Sequence, residues 1–148
     1  MSAVLDIAES MSDLTKQFNS YLVSSSYSTY NDFTVKLDNN TTYMPSLILV
    51  RDPLKITGKV CIGAPDLAVE IWSSSTSGVD KINRFNGYLQ AKVQEYWTIE
   101  PDTQIIFTFQ LKDGEYVAKS YGRNSVVPVG ILPGFEVTMF QDSERTYE

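Results

Sequence analysis

Four consecutive apolar residues, Leu47-Ile48-Leu49-Val50, place the strongest limit on how this chain can fold. They end a segment from residue 43 to residue 50 that has the composition of a β-strand, and the side chains of a strand alternate between its two faces. A strand that is apolar on both faces belongs in the middle of a sheet that is covered on both sides. The sequence therefore predicts a sheet packed between other layers, with this segment near its centre.

Two predicted helices supply the cover for this sheet. At the N-terminus apolar residues recur every three or four positions, which predicts a helix of about six turns that ends at the run Ser24-Ser25-Ser26. A second helix is predicted from about residue 78 to residue 92, with Ser77 and Asp80 as a capping box. The predicted buried residues are Val4, Ile7, Met11, Leu14, Phe18, Tyr21 and Leu22 in the first helix, and Ile82, Phe85 and Leu89 in the second.

Short strand-like segments fill the rest of the chain. The order of helix, three strands, helix and further strands predicts an α/β fold of the α+β type, a mixed central sheet flanked by helices rather than a doubly wound parallel sheet. The long connection from residue 51 to residue 65 is expected to be a functional edge of the fold. The predicted strands cover residues 31–37, 43–50, 66–72, 95–100, 104–111 and 115–120, and a last apolar segment covers residues 126–139.

The length of 148 residues is close to the commonest size of one domain, so residues 1–148 are expected to form a single domain with one core. No stretch approaches the roughly 18 consecutive apolar residues that cross a bilayer. Asp6 and Glu9 stand where a secretory signal carries basic residues, and the single cysteine, Cys61, excludes an internal disulfide. A cytoplasmic location is therefore expected.

The formal net charge is −6, from 12 Lys and Arg against 18 Asp and Glu. Proteins that hold a phosphate backbone usually carry a broad basic face, so this balance disfavours tight nucleic-acid binding. The chain has no histidine, which excludes Ser-His and Cys-His dyads, histidine zinc sites and imidazole proton transfer. Any catalysis depends on carboxylates, Lys, Arg, Tyr, hydroxyls and one thiol.

Two carboxylates lie on one predicted strand, in the segment Pro65-Asp66-Leu67-Ala68-Val69-Glu70. Alternation puts Asp66 and Glu70 on the same face, but four residues of strand separate their side chains by roughly 13 Å, too far for both to ligate one ion. A metal site at Glu70 therefore needs a partner from a neighbouring strand. If this strand pairs antiparallel with the preceding one and Val50 lies opposite Asp66, then Ser46 lies opposite Glu70.

A family resemblance rests on six well-spaced segments, residues 44–50, 63–71, 73–76, 80–88, 95–101 and 132–136. Together they resemble the Uma-type endonucleases of the PD-(D/E)XK restriction-endonuclease-like superfamily, over most of the chain from about Ser20. The resemblance implies a metal-dependent endonuclease acting on DNA, in which Mg²⁺ activates water and neutralises phosphate charge. It implies Glu70 and Asp66 as metal ligands and catalytic residues, and Arg84 and Lys81 as catalytic cations.

The chain departs from the family pattern in three places. Ser46 follows Pro45 where the family has an aspartate. Arg84 stands one helical turn after Asp80 where the family has a lysine, and arginine stays protonated and cannot act as a base. The N-terminal acidic hairpin of the family is also expected to be missing, and Lys81 is a second candidate for the lysine role. The resemblance thus predicts a degenerate endonuclease with weak or lost activity.

The site residues also have structural alternatives. Asp66 could order the preceding loop by accepting hydrogen bonds from backbone amides, and Glu70 could form a salt bridge with Arg84 or Lys81. A catalytically silent module for protein interaction or homodimerisation is the alternative function. DNA binding without cleavage is a third, and it would need a basic groove formed by Lys55, Lys59, Lys81 and Arg84.

Overall fold

The computed structural model describes residues 3–142, with side chains described from Ile7 onward. No helix within this range is long and apolar enough to span a bilayer. The elements are, in order, α1 (Ala3–Tyr21), β1 (Ser28–Asn31), β2 (Thr34–Lys36), β3 (Thr42–Tyr43), β4 (Leu47–Val50), a 3-10 helix (Pro53–Lys55), β5 (Ile56–Thr57), β6 (Val60–Ile62), β7 (Leu67–Ile71), α2 (Gly78–Gln90), β8 (Glu95–Glu100), β9 (Ile105–Lys112), β10 (Glu115–Tyr121), β11 (Val126–Pro128) and β12 (Glu136–Thr138).

Six strands form the central sheet in the order β1-β4-β7-β8-β9-β10. Strands β7 and β8 run parallel, and the other neighbouring pairs of this sheet are antiparallel. Helix α2 connects the two parallel strands, because parallel neighbours need a crossover connection. Strands β4 and β7 are buried on both faces. The predicted mixed sheet with helices against it is confirmed, and the run Leu47–Val50 lies in its interior.

The central strands face two separate cores. On one face, Leu14 and Phe18 of α1 pack with Trp97 of β8, and strands β11 and β12 close this side. On the other face, Tyr88 of α2 packs with Tyr96 of β8, next to residues of β2 and β6. The neighbouring residues Tyr96 and Trp97 of β8 thus contribute to opposite faces of the sheet.

Helix α2 begins where the sequence predicts, because the Ser77 side chain accepts a hydrogen bond from the Asp80 N–H at 3.0 Å. Its predicted buried face is partly wrong. Ile82 is 62% exposed, whereas Tyr88 is fully buried. Ile82 lines a cleft at the rim of the sheet rather than the core beneath it, so the face that meets the sheet is centred on Tyr88.

The segment predicted as one strand over residues 31–37 is two strands in different sheets. Strand β1 ends at Asn31 and β2 begins at Thr34. Between them Asp32 has a φ of 47°, a left-handed conformation that aspartate tolerates better than most residues. Its N–H donates to the Ser46 carbonyl at 3.0 Å. This bend moves the chain from the central sheet to a small sheet of order β3-β2-β6-β5.

The connection predicted between residues 51 and 65 contains two strands of this small sheet, β5 and β6. The Asp52 side chain accepts a hydrogen bond from the Leu54 N–H at 3.0 Å and starts the 3-10 helix. Gly58, with a φ of 60°, lies in the turn between β5 and β6. Strand β6 then pairs in parallel with β2. The predicted strand over residues 43–50 is likewise divided, between β3 in the small sheet and β4 in the central one.

Candidate active site

The site predicted from the sequence lies where β4 and β7 pair. They are antiparallel, with Leu47 opposite Val69 and Leu49 opposite Leu67. Beyond these pairs the Ser46 N–H donates to the Val69 carbonyl and the Asp66 N–H donates to the Leu49 carbonyl, each one residue out of the predicted register. The predicted antiparallel pairing of the two strands is confirmed, but its regular register ends before Ser46 and Glu70 at one end and before Val50 and Asp66 at the other.

Ser46 is held by the sheet around it. Its hydroxyl oxygen accepts a hydrogen bond from the Ile71 N–H at 3.0 Å, and its own N–H donates to the Val69 carbonyl at 2.9 Å. The residue is 9% exposed. The hydroxyl therefore satisfies a strand amide at the position where the resemblance implies a carboxylate, and it brings no negative charge to the site.

Glu70 is 5% exposed and its carboxylate is held by two donors from α2. Oxygen Oε2 accepts one hydrogen bond from Arg84 Nε at 3.2 Å and another from the Tyr88 hydroxyl at 2.9 Å. Burial raises the pKa of Glu70, while the Tyr88 hydroxyl and the Arg84 guanidinium pull it down. The pKa of Tyr88 is raised well above its ordinary value by burial and by the charge of Glu70. The three residues form one network, termed here the Glu70 network.

Arg84 is fixed by more than its salt bridge. Its guanidinium lies over the ring of Tyr43 at 4.4 Å from the centroid, and the Tyr43 hydroxyl donates to the Asn83 carbonyl at 3.0 Å. A cation over an aromatic face is attracted by the ring quadrupole, by about 0.5–1 kcal/mol near a surface. The small sheet, through β3, thus helps to orient the arginine that pairs with Glu70.

The other two predicted site residues lie elsewhere. Lys81 forms a salt bridge with Glu100 at 3.3 Å and lies over the Trp72 ring at 5.5 Å. Asp66 accepts a hydrogen bond from the Arg51 N–H at 2.8 Å, at the opposite end of β7 from Glu70. The structure therefore brings together Glu70 and Arg84 but separates both from Asp66, and it pairs Lys81 with a different carboxylate.

The side chains around Glu70 do not fit a magnesium site. Mg²⁺ takes about six oxygen ligands in near-octahedral geometry and is usually held through carboxylates that leave its remaining positions to water and phosphate. Within the described residues, no group of three or more Asp, Glu, His or Cys side chains is placed to hold one ion. Glu70 is bound by the Tyr88 hydroxyl and the Arg84 guanidinium, both from the helix. The cation beside this carboxylate is Arg84.

Tyr88 is a partner of Glu70 that reasoning from the sequence missed. Arg84 and Tyr88 are four residues apart on α2, so their side chains leave the same face of the helix one turn apart. Once Arg84 is assigned to Glu70, this spacing is a signal that Tyr88 reaches the same carboxylate. Tyr43 had no comparable signal, because its contact with Arg84 depends on the position of the small sheet.

A cleft of about 360 Å³ opens beside the Glu70 network, between α2 and strands β8 to β10. Thr98, which lies opposite Glu70 in the parallel pair, belongs to its wall. Apolar residues form most of the remaining surface, and the Lys81–Glu100 salt bridge lies at its side. The apolar part of the wall includes Trp72, Ile82, Phe85, Phe107, Phe109 and Ala118.

The mixed six-stranded sheet with helices packed against it defines an α+β domain. The crystal structure of a putative nuclease belonging to DUF820 from Anabaena variabilis superposes on this chain with a TM-score of 0.68 at 18% sequence identity. The match covers 87% of this chain and 73% of that chain, and the two have the same fold. Residues 7–140 match the Uma2 family, described as "Putative restriction endonuclease". The chain belongs to the Uma2 family. Comparison of its sequence with curated proteins found no match.

Proposed function

We propose that this chain is a nuclease-like domain of the Uma2 family in which metal-dependent phosphodiester hydrolysis has been lost. The observation that carries the proposal is the Glu70 network. The carboxylate that the resemblance implies as a metal ligand is buried and bound by Arg84 and Tyr88, and Ser46 stands where the resemblance implies a second carboxylate.

The chemistry of the family explains why the residue at position 46 and the partner of Glu70 decide activity. A metal-dependent nuclease needs carboxylates to hold the ion that activates water and neutralises charge on the phosphate. Arg84 supplies a permanent positive charge to Glu70, so the carboxylate has a partner without an ion. A guanidinium cannot accept a proton at ordinary pH, so Arg84 also lacks the proton-accepting ability that a lysine can provide.

The cations around the site support this proposal. DNA is the substrate class that the family suggests, and tight binding to DNA depends on basic side chains that are free to neutralise phosphates. Arg84 and Lys81 are both in salt bridges, and Lys55 donates to the Ala64 carbonyl at 2.7 Å. Three of the four residues of the predicted basic groove are thus engaged within the protein.

Cleavage of supercoiled plasmid DNA with Mg²⁺ or Mn²⁺ tests the proposal. We expect the wild type and Glu70→Gln to leave the plasmid equally intact, because neither has a carboxylate pair to hold the metal. Asp66→Asn is the matched carboxylate control at the other end of β7. Cutting by the wild type and by Asp66→Asn that disappears in Glu70→Gln would contradict the proposal.

A further inference from the structure

Strand β10 is the last strand of the central sheet at the end away from β1. It has seven residues, and five of them are exposed. Val117 is 44% exposed although it is a large apolar residue in the middle of a strand. A strand edge of this length carries a row of backbone groups able to pair with another strand.

The hydrogen bonds of β9 identify which residues of β10 present those groups. The Leu111 N–H donates to the Gln94 carbonyl at 2.9 Å, away from β10. Leu111 lies opposite Tyr116, so this pair does not exchange backbone hydrogen bonds. The backbone N–H and C=O groups of successive residues point alternately to the two sides of a strand. Tyr116, Ala118 and Ser120 therefore direct these groups to the outer edge of the sheet.

The charges of β10 are self-complementary about its middle. We propose that two copies of this chain associate through antiparallel pairing of β10 with β10 across a two-fold axis, with Val117 opposite Val117. In that register Glu115 of each copy lies opposite Lys119 of the other, which gives two cross-strand ion pairs. Tyr116 and Ala118 then exchange the outer backbone hydrogen bonds. The proposal does not depend on the loss of nuclease activity.

A neighbouring register is less favourable. If Ala118 lay opposite Ala118, Lys119 would face Val117 and Glu115 would face Tyr121, so neither charge would have an opposite partner. In the proposed register Ser120 lies opposite Gly114, where no side chain obstructs the approach of the second copy. Opposite charges placed directly across a strand pair stabilise it, and like charges destabilise it.

The cleft beside α2 reaches β10 on the sheet face opposite the side chains of Glu115, Val117 and Lys119, because side chains alternate along a strand. Ala118 belongs to β10 and to the cleft wall. A two-fold axis at Val117 would therefore bring the clefts of the two copies to neighbouring positions on one continuous sheet. Phe107 is 37% exposed in this wall, and such surface helps an association that strand pairing alone would leave well below the roughly 1,200–2,000 Å² of stable interfaces.

Charge reversal with analytical ultracentrifugation tests the pairing. We expect the wild type to dimerise, and Glu115→Lys or Lys119→Glu alone to raise the dissociation constant about tenfold or more, because two attractive pairs become repulsive. The double variant E115K/K119E should recover the wild-type dissociation constant. Lys59→Glu, an exposed charge reversal outside β10, should change nothing.

A lysine on an edge strand can also serve to keep copies apart, and the same experiment distinguishes that role. A monomeric wild type at all concentrations, or a Lys119→Glu variant that dimerises as well as or better than the wild type, would overturn the proposal. Circular dichroism of each variant shows whether the exposed substitutions leave the fold intact.

Disulfide trapping tests the register itself. The single native cysteine, Cys61, is buried, so an introduced cysteine is the reactive one. In the proposed register residue 117 meets its own copy in a non-hydrogen-bonded pair with Cα atoms about 4.5 Å apart, which a disulfide can bridge. Val117→Cys should cross-link under oxidation and Ala118→Cys should not. Cross-linking of Ala118→Cys alone, or of neither variant, would contradict the register.

Discussion

Replacing Arg84 by methionine is expected to lower the free energy of unfolding by about 2 kcal/mol at neutral pH. The substitution leaves the buried carboxylate of Glu70 with the Tyr88 hydroxyl alone. Loss of one partner of a fully buried pair costs more, but the Arg84 side chain is 31% exposed, and solvent weakens the pair. Thermal melting should show a decrease of roughly 4–8 °C.

The loss of stability in the Arg84→Met variant should depend on pH. Burial raises the pKa of Glu70, and Arg84 is one of the groups that oppose this shift, so its removal should raise the pKa further. A carboxyl group whose pKa is higher in the native state favours folding in acid, and that contribution is lost as pH rises through the native pKa. The variant should therefore approach wild-type stability near pH 5 and fall behind it towards pH 8.

Lys81→Met is the matched control for this prediction. Its salt bridge to Glu100 joins side chains that are 31% and 24% exposed, and such pairs contribute about 0–1 kcal/mol. Equal and pH-independent losses in the two variants would show that Arg84 does not compensate a buried charge on Glu70.

Replacing Glu95 by glutamine is expected to lower the free energy of unfolding by about 3 kcal/mol. At least one buried N–H loses its acceptor, which costs about 1–3 kcal/mol, and the N–H₂ group of the new amide is forced against that N–H. Glu95 is fully buried, and its two oxygens receive three donors. They are Trp97 Nε1 at 2.6 Å, the Gly130 N–H at 3.2 Å and the Ile131 N–H at 2.9 Å. Glutamine offers one acceptor oxygen where the carboxylate offers two.

Urea unfolding measures this effect directly. Glu136→Gln removes the same charge from an exposed position on β12 and should change the free energy of unfolding by less than about 0.5 kcal/mol. If Glu95→Gln were as stable as this control, the carboxylate would not be what joins β8 to the turn that contains Gly130 and Ile131.

The sequence predicted the parts of the fold that depend on residue alternation. Four apolar residues in a row at Leu47–Val50 require a covered strand, and the period of two in β7 fixes which residues share a face with Glu70. The antiparallel pairing of these two strands was an assumption, which the structure confirms for Leu47, Ile48 and Leu49, whereas alternation alone could not predict the irregular hydrogen bond from the Ser46 N–H to the Val69 carbonyl. Capping of α2 by Ser77 is similarly local, because the hydroxyl and the amide it binds are three residues apart.

The small sheet could not be predicted, because its strands are two or three residues long and owe their order to distant partners. Val35 lies opposite Cys61 in the parallel pair of β2 and β6, and no local pattern connects them. The bend at Asp32 depends on the Ser46 carbonyl, fourteen residues away in sequence and directly before β4.

The partner of Glu70 was also undecided from sequence, which allowed both Arg84 and Lys81. Lys81 lies three residues before Arg84 on α2, and both residues can approach the sheet from the same side of the helix. The choice depends on Glu100, which lies on β8 within reach of Lys81, and on Tyr43, whose ring holds Arg84. Both belong to elements whose positions only the tertiary structure supplies.

Calorimetric titration with Mn²⁺, comparing the wild type with the double variant S46D/R84K, tests the central claim that these two positions exclude the metal. Aspartate at position 46 would restore the carboxylate that the resemblance implies there, next to the strand that carries Glu70, and two neighbouring carboxylates repel each other unless a cation lies between them. We predict no Glu70-dependent binding by the wild type and measurable binding by the double variant that Glu70→Gln abolishes. Mn²⁺ binding by the wild type that Glu70→Gln removes, or a folded double variant that binds none, would contradict the account.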